Sequence, residues 1–209
     1  MIIAFVGIDG SGKTTLLSEF AKYVVSTGKK VQIIKALNQK TQFMKNYNSV
    51  RKKFFEQHED KKHELNVIGS YIMSFDLLQQ SELIKQQDSS DTVTILDRWA
   101  ICQQLYAKVW MATNDFTNIV YDMCLEPDIT FVINADLNVI EQRIEQRGGA
   151  NEFENMMSLR RLRKLYLKYA DGHDKAVLVE NNGEFNEALQ KIIQEYENWN
   201  QVNATTEIL

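Results

Sequence analysis

The chain has 209 residues, 44% of them hydrophobic and 25% charged, and a formal net charge of −4. This suits one α/β domain with a substantial core. It argues against a general binder of DNA or RNA polymer, which carries a basic excess, and no apolar run approaches the ~20 residues of a membrane helix.

Ile2-Ile3-Ala4-Phe5-Val6 is a continuous apolar run ending at a glycine, the pattern of a strand buried on both faces. A helix is predicted over residues 14–26, where Leu16, Leu17, Phe20, Ala21, Val24 and Val25 form a stripe and Gly28 supplies the stop. Val31-Gln32-Ile33-Ile34 is a second strand. Residues 38–64 are polar without a clean period, a loop or helical insertion over one edge of the site. A long helix follows over 65–86, with Ile68, Ile72, Phe75 and Leu83 as its apolar stripe. Val93-Thr94-Ile95-Leu96 is the third strand, and Ile129-Thr130-Phe131-Val132-Ile133, opened by Pro127, the fourth. A helix over 137–147, the strand Ala176-Val177-Leu178-Val179 and a helix over 185–199 complete the order, with a frayed tail at 201–209. Strands alternating with helices imply a five-stranded parallel sheet with right-handed crossovers and helices on both faces, one domain over 1–200. Cys102 and Cys124 form neither a metal-type cluster nor a disulfide framework and read as reduced thiols of a cytoplasmic protein. The N-terminus lacks the basic flank and long apolar run of a secretory signal.

The most informative segment is Gly7-Ile8-Asp9-Gly10-Ser11-Gly12-Lys13-Thr14, followed by Thr15. It has a strand before it and a helix directly after it, the context of a phosphate-binding P-loop. Gly10 and Gly12 allow backbone geometry closed to residues with a Cβ and let amides approach phosphate oxygens. The helix N-terminus adds fixed positive potential. Lys13 is a cation for the β- and γ-phosphates of ATP, and the Thr14 hydroxyl can ligate Mg²⁺.

The third strand runs into Asp97-Arg98-Trp99. Ligands in open parallel sheets bind beyond the carboxyl ends of strands. There Asp97 can hold Mg²⁺ through water, and Arg98 can bridge donor and acceptor phosphates. Arg143 and Arg147, four apart on one helix face, precede Gly148-Gly149. They read either as cations of a hinged lid over 143–155 that closes on phosphates, or as a solvated face paired with Glu141 and Glu145.

In this order the motifs resemble the thymidylate kinase family. The resemblance rests on Gly7 to Thr15, on Asp97-Arg98-Trp99 with Tyr106 downstream, on Pro127-Asp128 opening the fourth strand, on Arg143 to Gly148, and on Arg161-Leu162-Arg163-Lys164-Leu165-Tyr166. It implies a P-loop NTPase fold of the nucleoside monophosphate kinase type, ATP and Mg²⁺, and a homodimer. It implies that Asp9 contacts the acceptor's sugar 3′-hydroxyl, that Tyr106 lies beside the sugar, and that Arg51 holds the acceptor phosphate. Lys13, Arg98 and the lid arginines would stabilise the transferring phosphoryl group.

The base-reading positions depart from the family pattern. Lys35-Ala36-Leu37-Asn38 stands where the family has Arg-Glu-Pro-Gly. Leu77 replaces an arginine that hydrogen-bonds thymine, Met73 replaces an aromatic ring, and Cys102 lies near the polar residue that meets the base. In the lid, Asn151-Glu152-Phe153-Glu154 lacks an arginine. The implied reaction is γ-phosphoryl transfer from ATP to dTMP or a related deoxynucleoside monophosphate. A deoxynucleoside kinase, which needs a carboxylate near the second strand where Ala36 lies, is one alternative. A nucleotide-binding regulatory protein without turnover is the other.

Overall fold

The apolar run at the N-terminus forms β1 (Ile2–Val6), and every residue of it is buried. The structure, a computed structural model, describes residues 1–36, 42–87, 89, 91–149, 155–183 and 185–206. β2 (Lys30–Lys35), β3 (Thr92–Asp97), β4 (Ile129–Asn134) and β5 (Ala176–Glu180) join β1 in one five-stranded sheet of order β2-β3-β1-β4-β5. β1 pairs in parallel with β3 and β4, and β4 with β5. Position explains pattern: β1 and β4, flanked by strands on both sides, are buried throughout, whereas β2, at an edge, alternates and leaves Ile33 51% exposed.

The described residues divide into two compact units. The first comprises Met1–Ile34, Ser89–Asp97 and Pro127–Leu209. It carries α1 (Lys13–Ser26), α6 (Leu137–Gln146), α7 (Met156–Gly172) and α8 (Phe185–Thr206), so the last helix runs on past residue 200. Its core joins Ile3, Phe5, Leu16, Phe20, Phe131 and Ile192 beneath the sheet. Phe20 is the hub, with ring centroids 5.7 Å from Phe5, 6.2 Å from Phe131 and 5.3 Å from Tyr196. The stripe read for α1 from the sequence is buried except for Val25, which is 57% exposed.

The second unit comprises Lys35–Asp88 and Arg98–Glu126. It holds α2 (Gln42–Gln57), a short 3-10 turn at Glu59–Lys61, α3 (Lys62–Gln87), α4 (Ala100–Val109) and α5 (Asp115–Asp122). The segment read as a loop or helical insertion is thus mostly helix. α3 turns the opposite face inward from the one its apolar residues suggest. Ile68, Phe75 and Leu83 are 48%, 51% and 49% exposed, while Leu65, Ser70, Ser74, Leu77, Ser81 and Ile84 are buried. Small hydroxyl side chains allow close packing against α4 and α5 and supply partners for chain ends. The Ser81 hydroxyl accepts from the Leu125 amide, whereas at Ser70 it is the backbone carbonyl that accepts from the Tyr121 hydroxyl. α5, capped by Asn114 accepting from the Thr117 amide at 2.9 Å, has only eight residues, too few for its period to stand out in the sequence.

Because Phe20 is fully buried at the centre of four rings, Phe20→Ala should cost about 3–5 kcal/mol. A urea titration followed by circular dichroism reads this as a lower midpoint with unchanged slope.

Candidate active site

β1 delivers the chain directly into the loop from Gly7 to Gly12. Gly12 sits at φ 89° and ψ 14° immediately before α1. A Cβ there would lie 2.3 Å from Asn181 Nδ2, so both the dihedral and the space require glycine. At Gly7 a Cβ would lie 2.3 Å from the Ile133 carbonyl oxygen. The loop is therefore pressed against the ends of β4 and β5. α1 begins with no side-chain cap and no acidic residue in its first turn, which leaves its positive end to an anion. The Ser11 hydroxyl is fully buried and has no hydrogen-bond partner.

Lys13 is buried, and its ammonium donates to the Ile8 carbonyl at 2.7 Å. Thr14 and Thr15 are exposed on the first turn of α1, and Asp9 is half-buried. Asp97, 7% exposed, ends β3 beside β1, in register with Phe5. Among the described residues no group of three or more His, Cys, Asp or Glu side chains is placed to hold a metal alone. Mg²⁺ in phosphoryl transfer needs only one or two protein ligands, the rest coming from phosphates and water. One exposed hydroxyl and one buried carboxylate at the ends of adjoining elements fit that requirement.

Arg143 is turned onto the phosphate loop. Its Nη1 donates to the carbonyls of Gly10 and Ser11 at 3.3 and 3.4 Å, and its Nη2 to the Asn181 carbonyl at 2.9 Å. Burial lowers the pKa of its guanidinium from the usual value. It grips the outer side of the phosphate loop. Arg147 closes α6 as an exposed residue, its amide bonded to the Arg143 carbonyl at 3.2 Å. Gly148 and Gly149 follow with φ of 107° and 99°; residues 150–154 of the expected lid, with Asn151-Glu152-Phe153-Glu154, lie outside the described residues.

Two residues were missed. Asn181, 4% exposed at the end of β5, donates from Nδ2 to the Ser11 carbonyl at 2.8 Å. Asn134 ends β4 and accepts from Arg163 Nε at 2.9 Å, while Arg163 Nη2 pairs with Asp136 at 2.9 Å. The signal was available, since both are polar residues at the carboxyl ends of apolar strands, the rule that singled out Asp97.

The remaining candidates belong to the second unit. Arg98 has φ 68°, rare for a residue with a side chain, and its Cζ lies 5.7 Å from the Tyr106 ring centroid. Trp99 is anchored by its Nε1 donating to the Leu125 carbonyl at 2.7 Å. Cys102 and Tyr106 share the buried face of α4. On α3 Leu77 is fully buried, Met73 half-buried, and Asp76 accepts from Gln80 Nε2 at 2.6 Å. Arg51 lines a cavity of about 590 Å³ with Tyr47, Phe54, Leu65 and Ile68. Lys35 is exposed at the end of β2; Leu37 and Asn38 lie outside the described residues. Both cysteines are free and buried, and burial pushes the Cys124 thiol up to about 11.

The family model described as thymidylate kinase matches residues 5–193. A probable thymidylate kinase of Archaeoglobus fulgidus is 24% identical over 205 residues, covering 95% of this chain and 97% of that protein. The solved thymidylate kinase of Candida albicans superposes with a TM-score of 0.68 at 17% identity, over 94% of this chain and 91% of that one. A deoxyadenosine kinase from M. mycoides gives 0.65 at 18% identity, over 95% and 100%. At these identities the structural matches speak for the fold alone.

Gly12→Ala combines a left-handed dihedral with a Cβ driven into the Asn181 amide. It should lower ATP affinity at least about tenfold in titration calorimetry. Unchanged affinity would mean that the loop binds in some other conformation.

Proposed function

The chain belongs to the thymidylate kinase family, ATP-dependent nucleoside monophosphate kinases, and we propose that it carries the γ-phosphoryl group of ATP to dTMP or a related deoxynucleoside monophosphate. The phosphate loop carries this reading. A helix start without cap or acid, a buried lysine and an orphaned buried hydroxyl converge where a triphosphate would lie. The amides around Gly10 to Thr15 bind the phosphates, and Lys13 exchanges its Ile8 carbonyl for β- and γ-phosphate oxygens. Arg98 and Arg147 neutralise charge that develops as the phosphoryl group moves. Asp9, Tyr106 and Arg51 serve the acceptor's sugar and phosphate. Thr14 and Asp97 are the residues to hold Mg²⁺, which when bound screens the β- and γ-phosphate charge. Catalysis is positioning and charge stabilisation, with no covalent intermediate.

Base choice is weak in this reading. Neither Met73 nor Leu77 can donate to a thymine carbonyl, and an unpaired buried carbonyl costs about 1–3 kcal/mol. The M. mycoides neighbour is a kinase of nucleosides, so nucleosides belong in the test. Ala36, buried at the end of β2, is no base for a hydroxyl acceptor.

The chain works as a cytoplasmic homodimer. Among the described residues no helix is long and apolar enough to cross a membrane. The exposed side of α3 and α5 gathers Phe75, Phe116, Ile119 and Met123, of which Ile119 is 60% exposed. Phe116 lies 5.6 Å from Tyr71 and 5.7 Å from Phe75, making a continuous apolar face suited to a second copy. Light scattering should give twice the chain mass, and Phe116→Glu should return it to one.

A coupled ADP-release assay against dTMP, dUMP, dCMP, dGMP and the free deoxynucleosides tests the activity. Monophosphates should be turned over and nucleosides not, with kcat/KM for dTMP within about tenfold of the next best base. Lys13→Ala should lose about 10²–10³-fold in kcat. Turnover of nucleosides alone would replace this reading with the nucleoside kinase.

A further inference from the structure

The peptide between Ser11 and Gly12 has little of its own to fix its direction. Gly12 tolerates either sense of φ, so rotation of this peptide meets no Cβ barrier on that side. In a trans peptide the carbonyl and the following N–H point in opposite directions. If this one turned over, a carbonyl oxygen would face the phosphates where an amide should. The Ser11 carbonyl, however, is held: Asn181 Nδ2 donates to it at 2.8 Å and Arg143 Nη1 at 3.4 Å. Asn181 is itself fixed. Its amide donates to the Asn134 carbonyl at 2.8 Å, its carbonyl accepts from Arg143 Nη2 at 2.9 Å, and it is 4% exposed. Its Nδ2 also occupies the space beside the Gly12 Cα where a Cβ would be.

We propose that Asn181 is a positioning residue of the phosphate site: its side-chain amide locks the Ser11 carbonyl outward and thereby aims the Gly12 N–H into the cradle before nucleotide arrives. Arg143 braces the same carbonyl and Asn181 together. The shorter and more buried of the two bonds is the asparagine's, so its loss frees the peptide most. This rests on the reading of the loop as the ATP phosphate site, not on the identity of the acceptor.

The test is binding without turnover. Titration calorimetry on the full chain would measure inorganic tripolyphosphate, ATP and adenosine against wild type, Asn181→Ala and Asn181→Leu. Leucine keeps volume beside Gly12 and adds no charge, but donates nothing. Both variants should bind tripolyphosphate and ATP roughly five- to tenfold more weakly, with adenosine affinity within about twofold and little change in Tm. Equal tripolyphosphate affinity in wild type and both variants would overturn the proposal. So would a parallel loss for all three ligands with a lowered Tm, which marks general unfolding. A wild-type chain that binds neither tripolyphosphate nor ATP would sink the phosphate-site reading itself, and this role for Asn181 with it.

Discussion

Where β1 gives way to α1, the backbone must turn while lying against the ends of β4 and β5. Side chains at three loop positions would collide: with the Ile133 carbonyl at Gly7, with Ile140 Cγ2 at 2.9 Å at Gly10, and with Asn181 at Gly12. Such closeness sets a demand on everything beneath it. β1 and β4 must keep their register, Phe5 beside Phe131 and Val6 beside Val132, or the Ile133 carbonyl no longer backs the loop. The aromatic cluster under these strands supplies that fixity, because Phe20 contacts both partners of the pair from α1. Core packing and anion binding are thus successive parts of one constraint.

Cations around the loop have separate tasks. Arg143 satisfies three backbone carbonyls with a planar fork, an arrangement a lysine ammonium could not copy. Its burial is tolerated because those carbonyls replace water. The Lys13 ammonium donates to the carbonyl of Ile8, five residues back and in the same loop.

Much of this was legible in the sequence. All five strands showed as apolar runs, and the loop motif lay between the strand and helix it requires. The rest was hidden for physical reasons. α3 buries serines and exposes Phe75 and Leu83, so a hydrophobicity stripe picks the wrong side of it. α4 and α5 are short, and their packing is settled by long-range bonds such as Trp99 to Leu125. Arg143 could not be assigned because a lid cation and a loop brace need the same spacing from Arg147. Only the distance to the Gly10 and Ser11 carbonyls separates them. Asn181 follows a strand so quietly that its neighbour Asn182 looks equivalent, though Asn182 instead accepts from the Asp136 amide at 2.7 Å.

The altered base-reading positions are more than a missing contact. Leu77 has no exposed surface at all, and Ser74 and Ser81 are fully buried on the same inward face of the helix. Restoring an arginine at 77 would insert a cation into a space closed on all sides, and a buried charge without a partner costs several kcal/mol. The side chain would have to displace packed neighbours before it could reach a base. The polar capacity that α3 holds nearby is Asp76, whose carboxylate accepts from Gln80 Nε2. The inward face of α3 as a whole, not residue 77 alone, therefore sets what an arginine there would cost.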